Sequence, residues 1–220
     1  MAIDSDISEP MPYVYMDISN GSNKLGRIYI KLFKDSFPNG VENFMKIAQG
    51  STFREKIIGS KGNQHVLSTR RTFDGCSFFN CKYNNYIVSG DIYRNDGSSA
   101  GTIYHDEPIL PIFGEYFYPH ETKGLVSLIP FVDEKTGDLF YDSTFMITLD
   151  DIKDSNVLAS LDKDQIVIGR VTRGKNVIDK INSALTPLAN KVAPNFRITS
   201  TGLTSLFDGP CSDSLKTRGL

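Results

Sequence analysis

The chain has 220 residues and a mass of 24.5 kDa, with 40% hydrophobic and 23% charged residues. That is enough to bury the core of one globular domain and too little for two full-sized ones. Its formal net charge of −2 and sequence pI of about 5.9 exclude a global basic field of the kind that attracts nucleic acid or anionic lipid.

Residues 1–12 carry Asp4, Asp6, Glu9, Pro10 and Pro12 and read as a flexible leader. The opening MAIDSDISEP has neither the basic nor the apolar part of a signal peptide. No apolar run approaches the roughly 20 residues of a membrane helix. The expected location is therefore intracellular and cytoplasmic, with no membrane partner; a viral source would leave association with the virion open. The aromatic, β-branched run Tyr13–Ile18 predicts a strand, Asn20-Gly21 a turn, and Ile28, Ile30 and Leu32 one face of a second strand, together a hairpin. Pro38 can open a helix; Val41, Phe44, Met45 and Ala48 follow at helical spacing, and Gly50 stops the run.

Residues 51–75 show no sustained period. Arg54, Lys56, Lys61, Arg70 and Arg71 against Glu55 and Asp74 give 5 − 2 = +3, so the segment reads as a long basic surface loop. Further strands are predicted at 77–81, 86–92, 124–129, 144–149, 165–171 and 195–203, and a second helix at 175–183 with Val177, Ile178 and Ile181 inward. Residues 207–220 read as a flexible tail, leaving one domain over 13–206. Many strands, two helices and no strand–helix alternation argue for a closed antiparallel barrel with helices at its ends.

Several local patterns are better explained without chemistry. Gly97-Ser98-Ser99-Ala100-Gly101 matches a nucleophile elbow, but Thr102-Ile103-Tyr104 does not look helical and the later histidines, His105 and His120, are close by. A small-residue turn is the simpler reading. Cys76 and Cys81 are five apart with no His before His105, so no metal site is expected; with Cys211 they make an odd, sparse set rather than a disulfide framework. Asp106-Glu107 and Asp150-Asp151 are adjacent, which in a strand points them to opposite faces. Asn20-Gly21-Ser22 is formally a glycosylation sequon and more simply a turn. The basic segment 51–75 is the one feature that suits phosphates; a solvated loop is the commoner outcome, and nucleic-acid binding is not expected.

Several segments in order resemble one family. They are Tyr15–Ile18 with Leu25–Ile28 and Leu32-Phe33; Phe37-Pro38 with Val41-Glu42-Asn43-Phe44; Ser89-Gly90-Asp91 with Gly97–Gly101, Ile103-Tyr104 and Glu107; Lys123–Leu128; Ser143–Thr148; and Val167–Val171 with Gly174 and Val177. Together they are similar to the cyclophilin family of peptidyl-prolyl isomerases over roughly 13–206. The resemblance implies a closed eight-stranded antiparallel β-barrel capped by two α-helices, no metal, no cofactor, and a proline-containing peptide or protein as ligand. Loops 51–75, 130–142 and 150–160 look longer than usual for the family.

The implied site has changed. Where the family reads Phe-His-Arg, this chain reads Phe78-Phe79-Asn80. Asn80 stands at the place of the Arg, and Lys82 is the nearest cation, without the planar fork of donors. The aromatic–apolar pair falls on Asn85-Tyr86 or Tyr86-Ile87, and the following Gln on Val88 or Ser89. The Ala-Asn of the peptide-holding strand reads Ile129-Pro130, the next Gln Thr144, and the Phe-Phe pair Phe145-Met146. The usual Trp falls near Ser160, before Leu161, and the usual His reads Gln165. The resemblance thus nominates Asn80 or Lys82 for the catalytic position, and Tyr86, Ile87, Ser89, Ile129, Thr144, Phe145, Met146, Leu161 and Gln165 for substrate contact. The reading is a cyclophilin-like protein, weak or inactive as an isomerase, acting as a protein-binding or assembly module and able to self-associate through its added loops or termini. The alternative is an active isomerase in which Lys82, Asn80 or Arg94 replaces the Arg.

Overall fold

Alternation along the chain decides which face each strand buries. In β1 (Tyr13–Asn20), Val14, Met16 and Ile18 are buried while Tyr15 and Asp17 are only partly so; in β2 (Asn23–Leu32) the buried set is Ile28, Ile30 and Leu32. The computed structural model describes residues 13–58, 64–111, 118–186 and 195–205, with backbone only for 54–58 and 64–67. The predicted leader 1–12 and tail 207–220 lie outside the described residues.

After α1 (Pro38–Gln49) come β3 (Ser51–Ile58), β4 (Gln64–Arg71), β5 (Asn80–Lys82), β6 (Tyr86–Ser89), β7 (Leu125–Leu128), β8 (Phe131–Val132), β9 (Leu139–Phe140) and β10 (Phe145–Thr148). Next are α2 (Ser155–Asp164), β11 (Ile166–Arg173), α3 (Lys175–Ala184) and β12 (Phe196–Thr204). Eight strands form one antiparallel sheet in the order β12-β1-β2-β11-β7-β10-β6-β5. The sheet curls into a half-barrel without closing, which corrects the closed barrel expected from sequence. Its edge strands β5 and β12 are not paired; a single bridge, Ser77 to Arg197, spans the gap. The reason is local. β5 has only three residues, and the backbone before it bonds to β12 only near that strand's start, through Gly75 and Phe78 N–H donating to Ile198 and Phe196 C=O and Ile198 N–H donating to Cys76 C=O.

The concave face holds the main core. Phe44 of α1 meets Phe73 and Phe145 at ring-centroid distances of 5.0 and 5.2 Å, and Phe73 meets Phe145 at 5.2 Å, within the range of favourable edge contacts. Pro38 opens α1 and Gly50 ends it in the left-handed conformation at φ 84°, as the sequence predicts; Ile47, not Met45, completes the buried stripe with Val41, Phe44 and Ala48. Asn43 of the same helix is fully buried, accepting from Ile103 N–H at 2.8 Å and donating to Asp142 C=O at 3.3 Å.

Among the described residues three helices are present, not two. The extra one, α2, is capped by Asp154, whose carboxylate accepts from Asn156 and Val157 N–H. Only Leu161 of this helix is fully buried, with Val157 and Leu158 half-buried beside it on the small core, so its apolar stripe is short and faint in the sequence. The segment read as a basic loop is largely the β3–β4 hairpin, paired from Ser51–Arg71 to Ile58–Gln64. A separate two-stranded ribbon need not present an alternating core face, and alternation is the signal that was sought. Arg71 is not a solvated charge either. It is 3% exposed, stacks on Phe53, and donates to Thr102 C=O and, at 2.8 Å, to Asp106.

Candidate substrate groove

Register puts the candidate groove on the convex face of the sheet. Asn80 pairs with Val88, Val88 with Met146, and Met146 with Ser127. Cross-strand partners share a face, so these four side chains form one row across β5, β6, β10 and β7. Lys82, Tyr86 and Thr148 form the next outward row. Between these rows, Cys81, Ile87, Ile147 and Val126 point inward. Val88 and Met146 pack with Ile152 and Leu161 into a second, smaller core that carries Phe79, Tyr86 and Ile129 at its margin.

Above that small core lies a cavity of about 220 Å³. It brings together Asn80, Tyr86, Ile129, Thr144, Met146, Leu161 and Gln165 from the set nominated by sequence, and adds Phe79, Val88 and Gly97. Ile87, Ser89 and Phe145 are placed elsewhere, which corrects their nomination as lining residues. Ile87 and Phe145 belong to the main core, and Ser89 is buried with its hydroxyl donating to Ser77 C=O at 2.9 Å. Of the two alignments left open for the Gln position, Val88 is the one that faces the groove. Lys82 lies next door, in a cavity of about 590 Å³ that shares Phe79, Asn80, Tyr86 and Gly97 with the groove. Arg94 is exposed and lines neither cavity. The Gln165 amide, turned with its nitrogen toward the end of α2, donates to Ser160 C=O at 3.2 Å and to Leu161 C=O.

One wall is a loop built on a single carboxylate. Asp91 is 1% exposed. Its Oδ1 accepts from Tyr93 N–H at 3.1 Å and Arg94 N–H at 2.8 Å. Its Oδ2 accepts from the N–H groups of Asp96, Gly97, Ser98 and Ser99 at 2.8–3.2 Å. Burial pushes this carboxyl up, but the donations from Arg94, Tyr93, Gly97 and Asn95 outweigh it and hold the pKa at about 2. Residues 97–101 are therefore a turn around Asp91, with no nucleophile elbow. The sequence shows an Asp before a Ser/Gly/Asn-rich stretch, a signal for such a cradle that was not used.

The other wall is fixed by a buried histidine. His120 is fully buried, with Nδ1 2.6 Å from Asp162 of α2 and Nε2 2.8 Å from Ser127 Oγ. A carboxylate only accepts, so Nδ1–H donates to Asp162 and Nε2 accepts from Ser127. The order Ser–His–Asp is that of a hydrolase, but Ser127 is fully buried in β7 beneath the small core, so the chain of bonds ties α2, which carries Leu161, to the sheet. We expect His120→Ala to cost about 2 kcal/mol by leaving the buried Ser127 hydroxyl and the half-buried Asp162 carboxylate unmatched, measured by urea unfolding at pH 8. Burial lowers the His120 pKa more than Asp162 raises it. Its stabilisation is therefore complete above the ordinary histidine value of about 6.5 and shrinks below it, so the wild type and His120→Ala converge as pH falls toward 5. A constant gap between them would refute this account.

Among the described residues no group of three or more His, Cys, Asp or Glu could hold a metal ion, and no helix is long and apolar enough to cross a membrane.

Comparison with known proteins supports the same architecture. Residues 13–203 match the family model for cyclophilin type peptidyl-prolyl cis-trans isomerase/CLD. A structural PPIase-like protein of Acanthamoeba polyphaga mimivirus is 56% identical over 194 residues, covering 87% of this chain and 81% of the relative. A peptidyl-prolyl cis-trans isomerase, cyp11, of Rhizopus delemar is 28% identical over 172 residues, 78% of this chain but only 44% of that protein. Among solved structures, the crystal structure of the mimivirus cyclophilin superposes with a TM-score of 0.72 at 53% identity, covering 89% of this chain and 90% of that one. The chain belongs to the cyclophilin-type peptidyl-prolyl isomerase family.

Proposed function

We propose that this chain uses the groove to bind proline-containing segments of partner proteins, with isomerisation weak or absent, and so works as a binding or assembly module. The observation that carries this is Asn80. By resemblance it stands where the family has Arg, and among the described residues no Arg, Lys or His lines the cavity to which it contributes. Isomerising an X–Pro bond makes and breaks no covalent bond; the enzyme lowers a barrier of about 18–20 kcal/mol by stabilising the twisted amide. A donor that tightens on the prolyl nitrogen as conjugation is lost acts on the transition state alone. Removing one preorganised donor costs roughly 2.7–4 kcal/mol, or about 10²–10³ in rate, and here the aromatic wall and peptide-holding groups differ as well. The apolar floor of Val88, Met146 and Leu161 remains suited to a proline ring. The mimivirus relative, described as structural and PPIase-like, fits the same reading.

The test is isomerisation of a proline-containing tetrapeptide against an active family member. We expect a rate within about twofold of the slow spontaneous isomerisation. A rate near that of the active member would overturn the proposal and favour the second reading, an active isomerase with Lys82 in the Arg's role. Lys82 lines the cavity that adjoins the groove, so activity lost in Lys82→Ala identifies the substitute. Self-association through the added loops or termini accords with an assembly role and is read directly as mass in solution.

A further inference from the structure

A second cavity of about 460 Å³ adjoins the groove and shares Gly97, Ile129 and Thr144 with it. A peptide lying in the groove therefore passes its mouth. The cavity is lined on one side by the Ser98–Ser99 turn and on the other by Phe131 and Asp142.

Three features of this cavity point to one kind of side chain. The first is Asp142. It is held in place from both sides, its backbone C=O accepting from Asn43 and its Oδ1 accepting from Thr144 N–H at 2.7 Å. Among the described residues no Lys or Arg makes an ion pair with it. Burial, and then the neighbouring Asp91 charge, raise its pKa against the pull of Thr144. A carboxylate partly withdrawn from water and lacking a counter-charge gains more from a cation than a fully exposed one does. The second is Phe131. It is 44% exposed, with its ring stacked on Phe140 at 5.6 Å, and offers an aromatic face of the kind that attracts ammonium and guanidinium groups. The third is the charge carried by the turn that follows Phe131 and Val132. The turn between β8 and β9 carries Asp133, Glu134 and Asp138 against Lys135, a net of −3 + 1 = −2, which favours approach of a positive side chain.

We infer that this cavity takes a Lys or Arg side chain from the segment of the partner that occupies the groove, with Asp142 as its counter-charge and Phe131 as its wall. The inference deepens the binding reading above and rests on it. An apolar side chain would leave the half-buried carboxylate without a counter-charge, and an acidic one would be repelled.

The test uses three peptides, acetyl-Xaa-Gly-Pro-Gly-Xaa-amide, in which both flanking residues are Lys, norleucine or Glu. Flanks on both sides make the outcome independent of chain direction. Affinities are measured by calorimetry on the full chain and on Asp142→Asn, which retains the acceptor for Thr144 N–H; a thermal melt checks its fold. We expect the Lys peptide to bind the wild type about tenfold tighter than the norleucine peptide, the size of one charge-assisted hydrogen bond, and the Glu peptide most weakly. In Asp142→Asn the Lys peptide should fall to the level of the norleucine peptide. Equal affinities in the wild type, or a Lys preference that survives in Asp142→Asn, would overturn the inference and leave the groove intact. Failure of all three peptides to bind would overturn the groove reading, and this inference with it.

Discussion

Asp91→Ala will lose about 4 kcal/mol of folding stability, the scale of several hydrogen bonds to a charged group, and with it the groove wall. Six backbone N–H groups converge on this one carboxylate. The loss falls short of the sum of six bonds because 93–98 is largely exposed and water can replace part of what is lost. Asp91→Asn should fall between the two, since its amide nitrogen cannot accept from N–H donors. The pH dependence carries the sign. Asp91 titrates at about 2 in the fold and near 3.9 in the unfolded chain, so its contribution is fully present above about pH 4 and disappears as pH falls through 2. Urea unfolding of the wild type and Asp91→Asn at pH 7, 4 and 2.5 measures this. The two curves should approach one another at the acid end, and parallel curves would count against the cradle.

The next residue back should be nearly as intolerant. Gly90 has φ +106°, and a Cβ built there lies 2.1 Å from Ser143 C=O and 2.9 Å from Thr144 Cα. Both contacts are backbone, so neither can swing away. We expect Gly90→Ala to cost more than about 3 kcal/mol, combining a disfavoured backbone conformation with overpacking. Gly137 is the control. Its φ is +76° with nothing within 4 Å of a Cβ, so Gly137→Ala should cost only about 1–2 kcal/mol. Because Gly90 joins β6 to the Asp91 loop, the variant should also lose the proline-peptide affinity, which calorimetry on the same preparation reads. Similar melting temperatures for the two alanine variants would show that the crowding at Gly90 is relieved by some shift of β10.

The sequence disclosed the parts of this protein that have a period. Val14, Met16, Ile28 and Ile30 alternate, and Val177, Ile178 and Ile181 recur at helical spacing; each lies where its spacing predicts. The elements less legible in the sequence carry a weaker mark. α2 fully buries only Leu161, and the β3–β4 ribbon pairs with itself outside the main sheet. The barrel seam was also invisible, because closure depends on how far β5 extends, and a three-residue strand leaves no distinct pattern. At the site, resemblance placed seven of its substrate and catalytic candidates around one cavity. Ile87 and Ser89 face inward because neighbouring residues of a strand point opposite ways, so the one-position ambiguity at 85–89 exchanges core for groove; Phe145, nominated together with Met146, lies in the main core. His120, Ser127 and Asp162 span 42 positions end to end in the chain, and nothing local links them before the fold does.

The strands β6 and β10 bury both of their faces, one against the main aromatic core and one against the small cluster under the groove. Each residue answers to one of these environments and not the other. Changes at Val88, Met146 or Asn80 can therefore accumulate without disturbing the packing of Phe44, Phe73 and Phe145, and the scaffold is free to shed a chemical task while keeping its shape. Such partitioning makes this sheet an evolvable platform: its recognition surface can drift toward new ligands while the aromatic core on the opposite side of the same strands keeps its packing.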